Sequence, residues 1–570
     1  MQISETMKVE KKKTIALVVA VANRMLNELD FVNTINTTTE YSKEQWNMTP
    51  GQLAKAIVLA TFTDIRVPLT HLQDRMSEMD LEYLLGRANT ENGICEVNAF
   101  NAGRALERIG SKNVNYVYEV MALSAMKKYG IPMEYIHSDT TTLSFHGAYD
   151  IGKMNLSTDE KEELLKIEKG YNKDNRRGDN QVVIGQMVTN TGIPLTCRVL
   201  DGSTSDMEWN KAALDYYDKL RKQGIERCIY VADCKLITQD LVKRMNAPGK
   251  FIPFVSRCPE NFNNTQAKRA KEQTYASGDW IDLGMMGTGK KASHYRGCII
   301  TESIFGTPMR LLVLESSSLR EKAVNSFEKH KDALTPLIKA LEKKTFACYE
   351  DADNEYFRFT QQKEMRLFTS IASITETVHE KWPPGRRTSA TKPKITSKFI
   401  VEISIDINPE AYTQYIQNES SFVLISNVLD KDPAELLKIY KGQHVVETSF
   451  RHLKSPQLAS VIYLKNPKRI EALTMLLNLS LIIRAIVQYR MRDGLQKHLE
   501  ANPKDIIRAG WGRKKLEAPT FLLFYEHSIN CRYERISKED YTFDWPNAET
   551  KALVVPLLTL MGLSICSILC

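Results

Sequence analysis

The sequence predicts an α/β fold built on a mixed sheet, interrupted by a large inserted segment and framed by helical regions. Three observations carry that prediction. After Gly130 the apolar spacing changes from a helical period to short runs rich in β-branched and aromatic residues, at 134–145, 181–189, 195–200 and 228–232. An amphipathic stretch at 209–223 separates the third run from the fourth, a shorter one at 237–245 follows, and 251–256 reads as a fifth strand. Three strands followed by alternating helix and strand make a mixed sheet. From Cys258 to about Ser420 the rhythm breaks, and a strand signal returns at 422–426.

Taken in order, residues 1–125 read as helical. Thr49-Pro50-Gly51-Gln52 places a capping threonine, a first-turn proline and a glutamine three residues after the cap, ahead of an apolar-periodic run. Further helices are expected at 97–109 and 114–129, the second stopped by Gly130. This region suits DNA binding or dimerisation equally, and it carries no helix-turn-helix signature. Within the insertion, 297–304 and 309–314 resemble a hairpin, and 319–344 a long polar helix. The stretch 381–398 holds six basic residues and no acid, as a phosphate-facing loop or a linker would.

Composition excludes some classes. Of 570 residues, 43% are hydrophobic and 26% charged, which rules out wholesale disorder. A net charge of +8 is a mild excess, compatible with a polyanionic partner without demanding one. Ten cysteines form no Cys-x-x-Cys pair, so a reducing compartment without structural zinc is expected. No secretion signal is expected at the N-terminus. The apolar stretch 473–487 contains Asn478, Ser480 and Arg484 and reads as a buried helix; 552–570 contains Pro556 and Gly562 and reads as a docked helix, not an anchor.

Two acids stand out by context: Asp139, within the first strand, and Asp233, where the apolar strand 228–232 meets a loop. A carboxylate at a strand end faces the crevice in which open α/β sheets hold ligands, although capping a helix is the commoner fate of such an aspartate. A third segment adds weight. Asp432-Pro433-Ala434-Glu435 starts a helix expected to run to Lys454, with Val446, Phe450 and Leu453 as its apolar stripe. Tyr440, Gln443, Glu447, Arg451 and Lys454 recur three or four apart along a neighbouring edge. Glu447–Arg451 alone would be an ordinary surface pair. A basic row flanking one carboxylate suits phosphate oxygens beside a metal-bound acid.

The pattern Tyr440-x2-Gln443-x3-Glu447-x6-Lys454 resembles the Y-x2-R-x3-E-x6-K signature of DDE transposases from prokaryotic insertion sequences, in the family-four superfamily and its sixteen-thirty-four-like branch. Asp139, the Val-Ala-Asp at 231–233, the run Gly170-Tyr171-Asn172-Lys173-Asp174 and the block Asp201–Asp206 agree with it. The similarity runs from about residue 15 to beyond 490, and the chain departs from the signature at Gln443, where the family carries arginine.

The resemblance implies a ribonuclease-H-like catalytic core with a large β-rich insertion domain. The divisions expected are a helical N-terminal domain (1–125), the core's first part (126–257), the insertion (258–420), the core's second part with the glutamate helix (421–500) and a helical C-terminal region (501–570). The interval from Asp233 to Glu447 is more than twice that from Asp139 to Asp233, too long for one strand and its connection. The resemblance further implies that Asp139, Asp233 and Glu447 are catalytic and hold two Mg²⁺ or Mn²⁺ ions. Tyr440, Gln443, Arg451 and Lys454 would contact DNA. His137 and His444 stay outside the metal shell; Trp280 and Trp382 are candidates for stacking on a flipped base. The implied partners are double-stranded DNA, both terminal inverted repeats and target, and a second copy in a homodimer, with no membrane and a cytoplasmic, nucleoid-associated location. An inactive transposase kept as a DNA-binding protein, or a metal-dependent nuclease that does not join strands, would share these residues.

Overall fold

The Thr49 capping box forms as written. Thr49 Oγ1 accepts from the Gln52 N–H at 3.2 Å and Gln52 Oε1 accepts from the Thr49 N–H at 2.9 Å, opening the helix Pro50–Ala60. The computed structural model describes residues 13–569 except 64–67, 87–94, 112–113, 147–148, 150–163, 177, 224, 226–227, 264, 288, 290–291, 386–391, 456–463, 510–513 and 538–539. Its contacts divide the chain into two units, one of Met1–Leu236, Ala247–Phe254 and Ile439–Cys570, the other of Ile237–Asn246 and Val255–Lys438.

In the first unit the expected N-terminal helices are present as Ala99–Gly110 and Val114–Tyr129. Asn98 caps the former by accepting from the Asn101 N–H at 2.9 Å, which is why it starts two residues later than the apolar pattern. The terminal regions are not purely helical. Thr14–Ala16 pairs with Arg532–Arg535, which pairs with Tyr541–Asp544. Strands this short leave no local period, and their partners lie at the other end of the chain.

The sheet of this unit consists of β1 (Tyr135–Phe145), β2 (Asn180–Thr189), β3 (Pro194–Leu200) and, after helix α1 (Asp206–Lys222), β4 (Ile229–Ala232). The order is β3-β2-β1-β4, antiparallel except for the parallel pairing of β1 with β4. The mixed sheet is therefore as expected. Helix α1 starts at a second capping box, Ser205 with Glu208, and covers the face that carries Ser138. Trp209, 1% exposed, donates from Nε1 to Ser138 Oγ at 2.9 Å, and its ring lies on Gly185, where a Cβ would overlap it.

Neighbouring strand residues point to opposite faces, so Asp139 faces away from α1. Helices α2 (Pro433–Lys441), α3 (His444–Leu453), α4 (Pro467–Ala501) and α5 (Phe521–Ser528) complete the relevant set. Gln186, directly opposite Asp139 on β2, accepts from Ser449 Oγ of α3 at 2.8 Å and donates to Asn478 Oδ1 of α4 at 2.5 Å. Those two bonds lay α3 and α4 on the Asp139 face.

The helix expected from 436 to 454 is not continuous. It breaks at Gly442–Gln443, where the Gly442 and Gln443 N–H groups bond three residues back, to Ile439 and Tyr440, at 3.1 and 3.2 Å. The reason is a close approach: a Cβ at position 442 would come 2.8 Å from His137 Nε2.

By length and composition α4 could cross a membrane, but 83% of its most apolar window is buried inside the protein. Its buried Asn478 and Arg484 agree with the reading of 473–487 as a core helix. The apolar C-terminal stretch folds as Ala548–Leu560 and Ile565–Ile568, broken at Gly562 with φ 67°, and it docks where Gly494 meets Leu560 without room for a Cβ. Near the start of α4, burial pushes the Glu471 carboxyl up to about 7. A raised carboxyl contributes stability at acid pH that is lost as pH rises through about 7. Glu471→Gln is therefore expected to remove a loss on the order of 2–3 kcal/mol between acid and alkaline pH, read from melting temperatures of both proteins across that range.

In the second unit, Phe254–Arg257, Ser421–Ser426, Thr307–Ser316, Ser293–Ile304 and Ile281–Met286 form an antiparallel sheet in that order. The expected hairpin and the long helix, Ser317–Glu342, are both there. A second hairpin pairs Phe368–Lys381 with Lys394–Ile407, packed with the helices on a core that includes Phe327, Leu334, Phe359 and Val401. The insertion is thus mixed and not β-rich, since Gln266–Ser277, Tyr349–Thr360 and Pro409–Ser420 are helical too. The basic stretch 381–398 is the tip of the second hairpin; residues 386–391 of it lie outside the described ones. Trp280 has the Arg296 guanidinium 4.4 Å from its ring centroid and Tyr275 against its edge.

Candidate active site

Asp139 sits in mid-strand, not at the end of β1. It is still open on one side, because β4 stops at Ala232 while β1 runs on to Phe145. The parallel register pairs His137 with Val231; two residues further on, Asp139 lies level with Asp233 and on the same face. Burial pushes both carboxyls above the usual range. For Asp139, Lys173 and the Thr140 N–H oppose the rise, while Asp233 and Asp206 add to it. For Asp233, the Lys235 N–H opposes it at 3.1 Å and Asp206 adds to it.

Two residues that the sequence reading passed over complete this cluster. Asp206 opens α1, where the helix dipole favours a carboxylate; its Oδ1 accepts from Thr140 Oγ1 at 2.5 Å and lies 3.0 Å from Lys173 Nζ. Lys173 also donates to Thr140 O at 3.0 Å and Oγ1 at 2.6 Å, and stands 3.5 Å from Asp139 Oδ1. Their carriers are held rigidly. A Cβ on Gly170 would overlap the Gly202 carbonyl, and one on Gly202 the carbonyls of Gln181 and Glu168. The buried Asn172 donates to Ser144 Oγ and Gln181 Oε1, both at 2.9 Å, and accepts from the Asp174 and Arg176 N–H groups. Both runs had been singled out for their resemblance. What could have flagged Asp206 was its place at a helix start directly after a capping serine.

Glu447 is exposed on α3, whose Val446, Phe450 and Leu453 are buried as expected. Arg451 and Lys454 follow it at helical spacing. Tyr440, at the end of α2, and Gln443, the cap of α3, are separated from that row by the break. Lys454 Nζ lies 2.7 Å from both Asp174 oxygens, which ties the end of α3 to the loop that carries Lys173. Among the described residues, no group of three or more His, Cys, Asp and Glu side chains is placed to hold one ion. Asp139 and Asp233 are together; Glu447 does not join them at a single point. His137, fully buried near the Gly442 break, has neither ring nitrogen bonded, and burial, with His444 nearby, lowers its pKa to about 4. It is a neutral imidazole at pH 7.

The aspartate pair suits a hard divalent cation: oxygen donors only, desolvated and crowded by like charge. Both carboxyls titrate above their unfolded values, so the protonated forms favour the fold; the stability they contribute at acid pH is lost as pH rises through the folded pKa. At neutral pH the pair is a cost. Asp233→Asn is accordingly expected to raise the melting temperature at pH 7.5, and Mg²⁺ or Mn²⁺ to raise that of the parent and not of the variant, as differential scanning calorimetry would read.

Residues 10–123 match a family model described as a domain of unknown function, DUF4277, which spans well under half of the chain. No curated protein matches it. Among solved structures the chain is similar to the piggyBac transposase synaptic complex with hairpin DNA, covering 91% of this chain and 82% of that one, at 10% identity and a TM-score of 0.37. A likeness that loose carries neither fold nor activity across.

Proposed function

We propose that the chain is a DDE-type DNA transposase, which binds terminal inverted repeats as a homodimer and cuts and joins strands in cut-and-paste transposition. The observation that carries this reading is the Asp139–Asp233 pair, level on adjacent parallel strands and raised in pKa, beside the basic row of α3. Asp139 and Asp233 are the residues that would hold a divalent ion, with Glu447 the third donor that the sequence resemblance assigns. When bound, such ions supply charge neutralisation at a scissile phosphate and ease deprotonation of the attacking water or 3′-hydroxyl.

The chain's own residues do the rest. Lys454, now neutralised by Asp174, exchanges that carboxylate for a phosphate oxygen; Arg451 offers a second, planar contact, and Tyr440 and Gln443 donate hydrogen bonds to the DNA backbone. A ribonuclease-H-like core, two ions per site and a cytoplasmic, nucleoid-associated location belong to the same reading.

The test is strand cleavage and strand transfer on a duplex carrying the inverted repeat that flanks the coding region, in Mg²⁺ or Mn²⁺. Cleaved and joined products are expected. Hydrolysis without joining would make the chain a nuclease; binding without cleavage in any metal would make it a DNA-binding protein.

A further inference from the structure

On the flank of α3 beside the Glu447 row, a cavity of about 310 Å³ lies between α3, α4, the start of α5 and the turn 190–192. Its charged lining has one sign. Arg451, Arg484 and Arg492 all contribute, and no Asp or Glu does. Arg484 is 6% exposed. One of its nitrogens donates to the Thr61 carbonyl at 2.9 Å, and the guanidinium lies 5.4 and 5.0 Å from the ring centroids of Phe62 and Phe521. Its Nε is buried with no hydrogen-bond partner. Arg492 donates from Nε to the Pro519 carbonyl at 3.0 Å. Among the described residues, no carboxylate acts on Arg484 or Arg492: burial dominates the environment of both guanidiniums.

A buried guanidinium without a counter-charge costs several kcal/mol; here Arg484 is buried, and the exposed Arg451 and Arg492 add two more positive charges to the same lining. The field is visible in the neighbouring group: burial, then Arg484 and Arg451, hold the His452 imidazole below its usual range. Gln488 in the same wall has its amide oxygen taken by the Phe521 N–H at 3.2 Å, which leaves its NH₂ group to donate. The arginines and the Gln488 NH₂ group thus offer this cavity cations and donors, as a tetrahedral oxyanion requires.

We propose that this cavity is a phosphate-binding site, taking a phosphate group either free or in a nucleic-acid backbone. It is separate from the carboxylate pair and stands whether or not those acids cut DNA; Arg451, on its rim, is the residue it shares with the proposed DNA-contacting row.

The test uses the full chain, titrated calorimetrically with inorganic phosphate at ionic strength matched with chloride. Phosphate is expected to bind and to raise the melting temperature. Arg492→Gln should weaken binding about ten- to hundredfold, the worth of a lost charged hydrogen-bond pair. Arg492→Lys, which keeps the charge and loses the planar fork, should fall between; it serves if the glutamine variant does not fold. Asp233→Asn should bind phosphate like the parent, which separates this site from the proposed catalytic one. Displacement of phosphate by an unphosphorylated duplex would identify backbone phosphate as the natural occupant, and retention of phosphate would identify a free phosphorylated molecule. A parent that does not respond to phosphate, or a folded Arg492 variant with unchanged affinity, overturns the proposal.

Discussion

Asp233→Asn is expected to lower metal-dependent strand cleavage about 10³-fold or more, equivalent to ~4 kcal/mol of barrier. The substitution keeps the shape of the side chain and removes one charge of the aspartate pair from a site whose chemistry depends on charge. Asp139 would remain, with Lys173 Nζ 3.5 Å from its Oδ1 and no second carboxylate level with it on the neighbouring strand. Because the same variant should be more stable at neutral pH, lost cleavage cannot be ascribed to unfolding. Glu447→Gln is the sharper half of the experiment. Glu447 is exposed and not gathered with the aspartates, so its part depends on α3 presenting it to the ion or to DNA. A Glu447→Gln protein that cleaves as fast as the parent removes Glu447 from the chemistry. An Asp233→Asn protein that does so removes the whole reading. Time courses of cleavage on one labelled duplex in Mn²⁺ measure both.

The second large effect lies under the site. Trp209→Ala is expected to destabilise the first unit by about 3–5 kcal/mol, the cost of a large buried aromatic replaced by a cavity. The indole fills the space over Gly185 and donates to Ser138, the residue before Asp139. Its loss therefore takes a hydrogen bond from β1 next to the aspartate as well as packing. Gly185→Ala attacks the contact from the other side, by overpacking, and should cost about 1–3 kcal/mol. Combined with Trp209→Leu it should cost less than the sum of the two single changes, because the smaller side chain makes room for the new methyl group. Melting temperatures of the four proteins check this. Unchanged melting in Trp209→Ala, or strict additivity, would show that the indole and the glycine are not in contact.

The parts of the fold that could be read along the chain are those whose physics is local. The capping boxes at Thr49 and Asp432 involve partners three residues apart, and the apolar side of α3 repeats every turn. The strands of the mixed sheet were legible because β1, β2 and β3 are each at least seven residues of β-favouring composition. Thr14–Ala16 and its partners were not legible, since three residues carry no period and their pairing spans the whole chain.

The site divides along the same line. The sequence by itself determined which acids are notable and which helix carries the basic row. Only the tertiary structure decided that Asp139 and Asp233 are neighbours, through a parallel register of three pairs. It alone brought Asp206 and Lys173 to them, through the contact of Gly170 with Gly202. It also divided the helix at Gly442 against His137, and gathered arginines from two helices around one acid-free cavity. Spacing along a chain specifies which residues share an element. Which elements meet is settled by sheet pairing and by backbone approaches closer than any Cβ permits, and those act between residues that no local pattern connects.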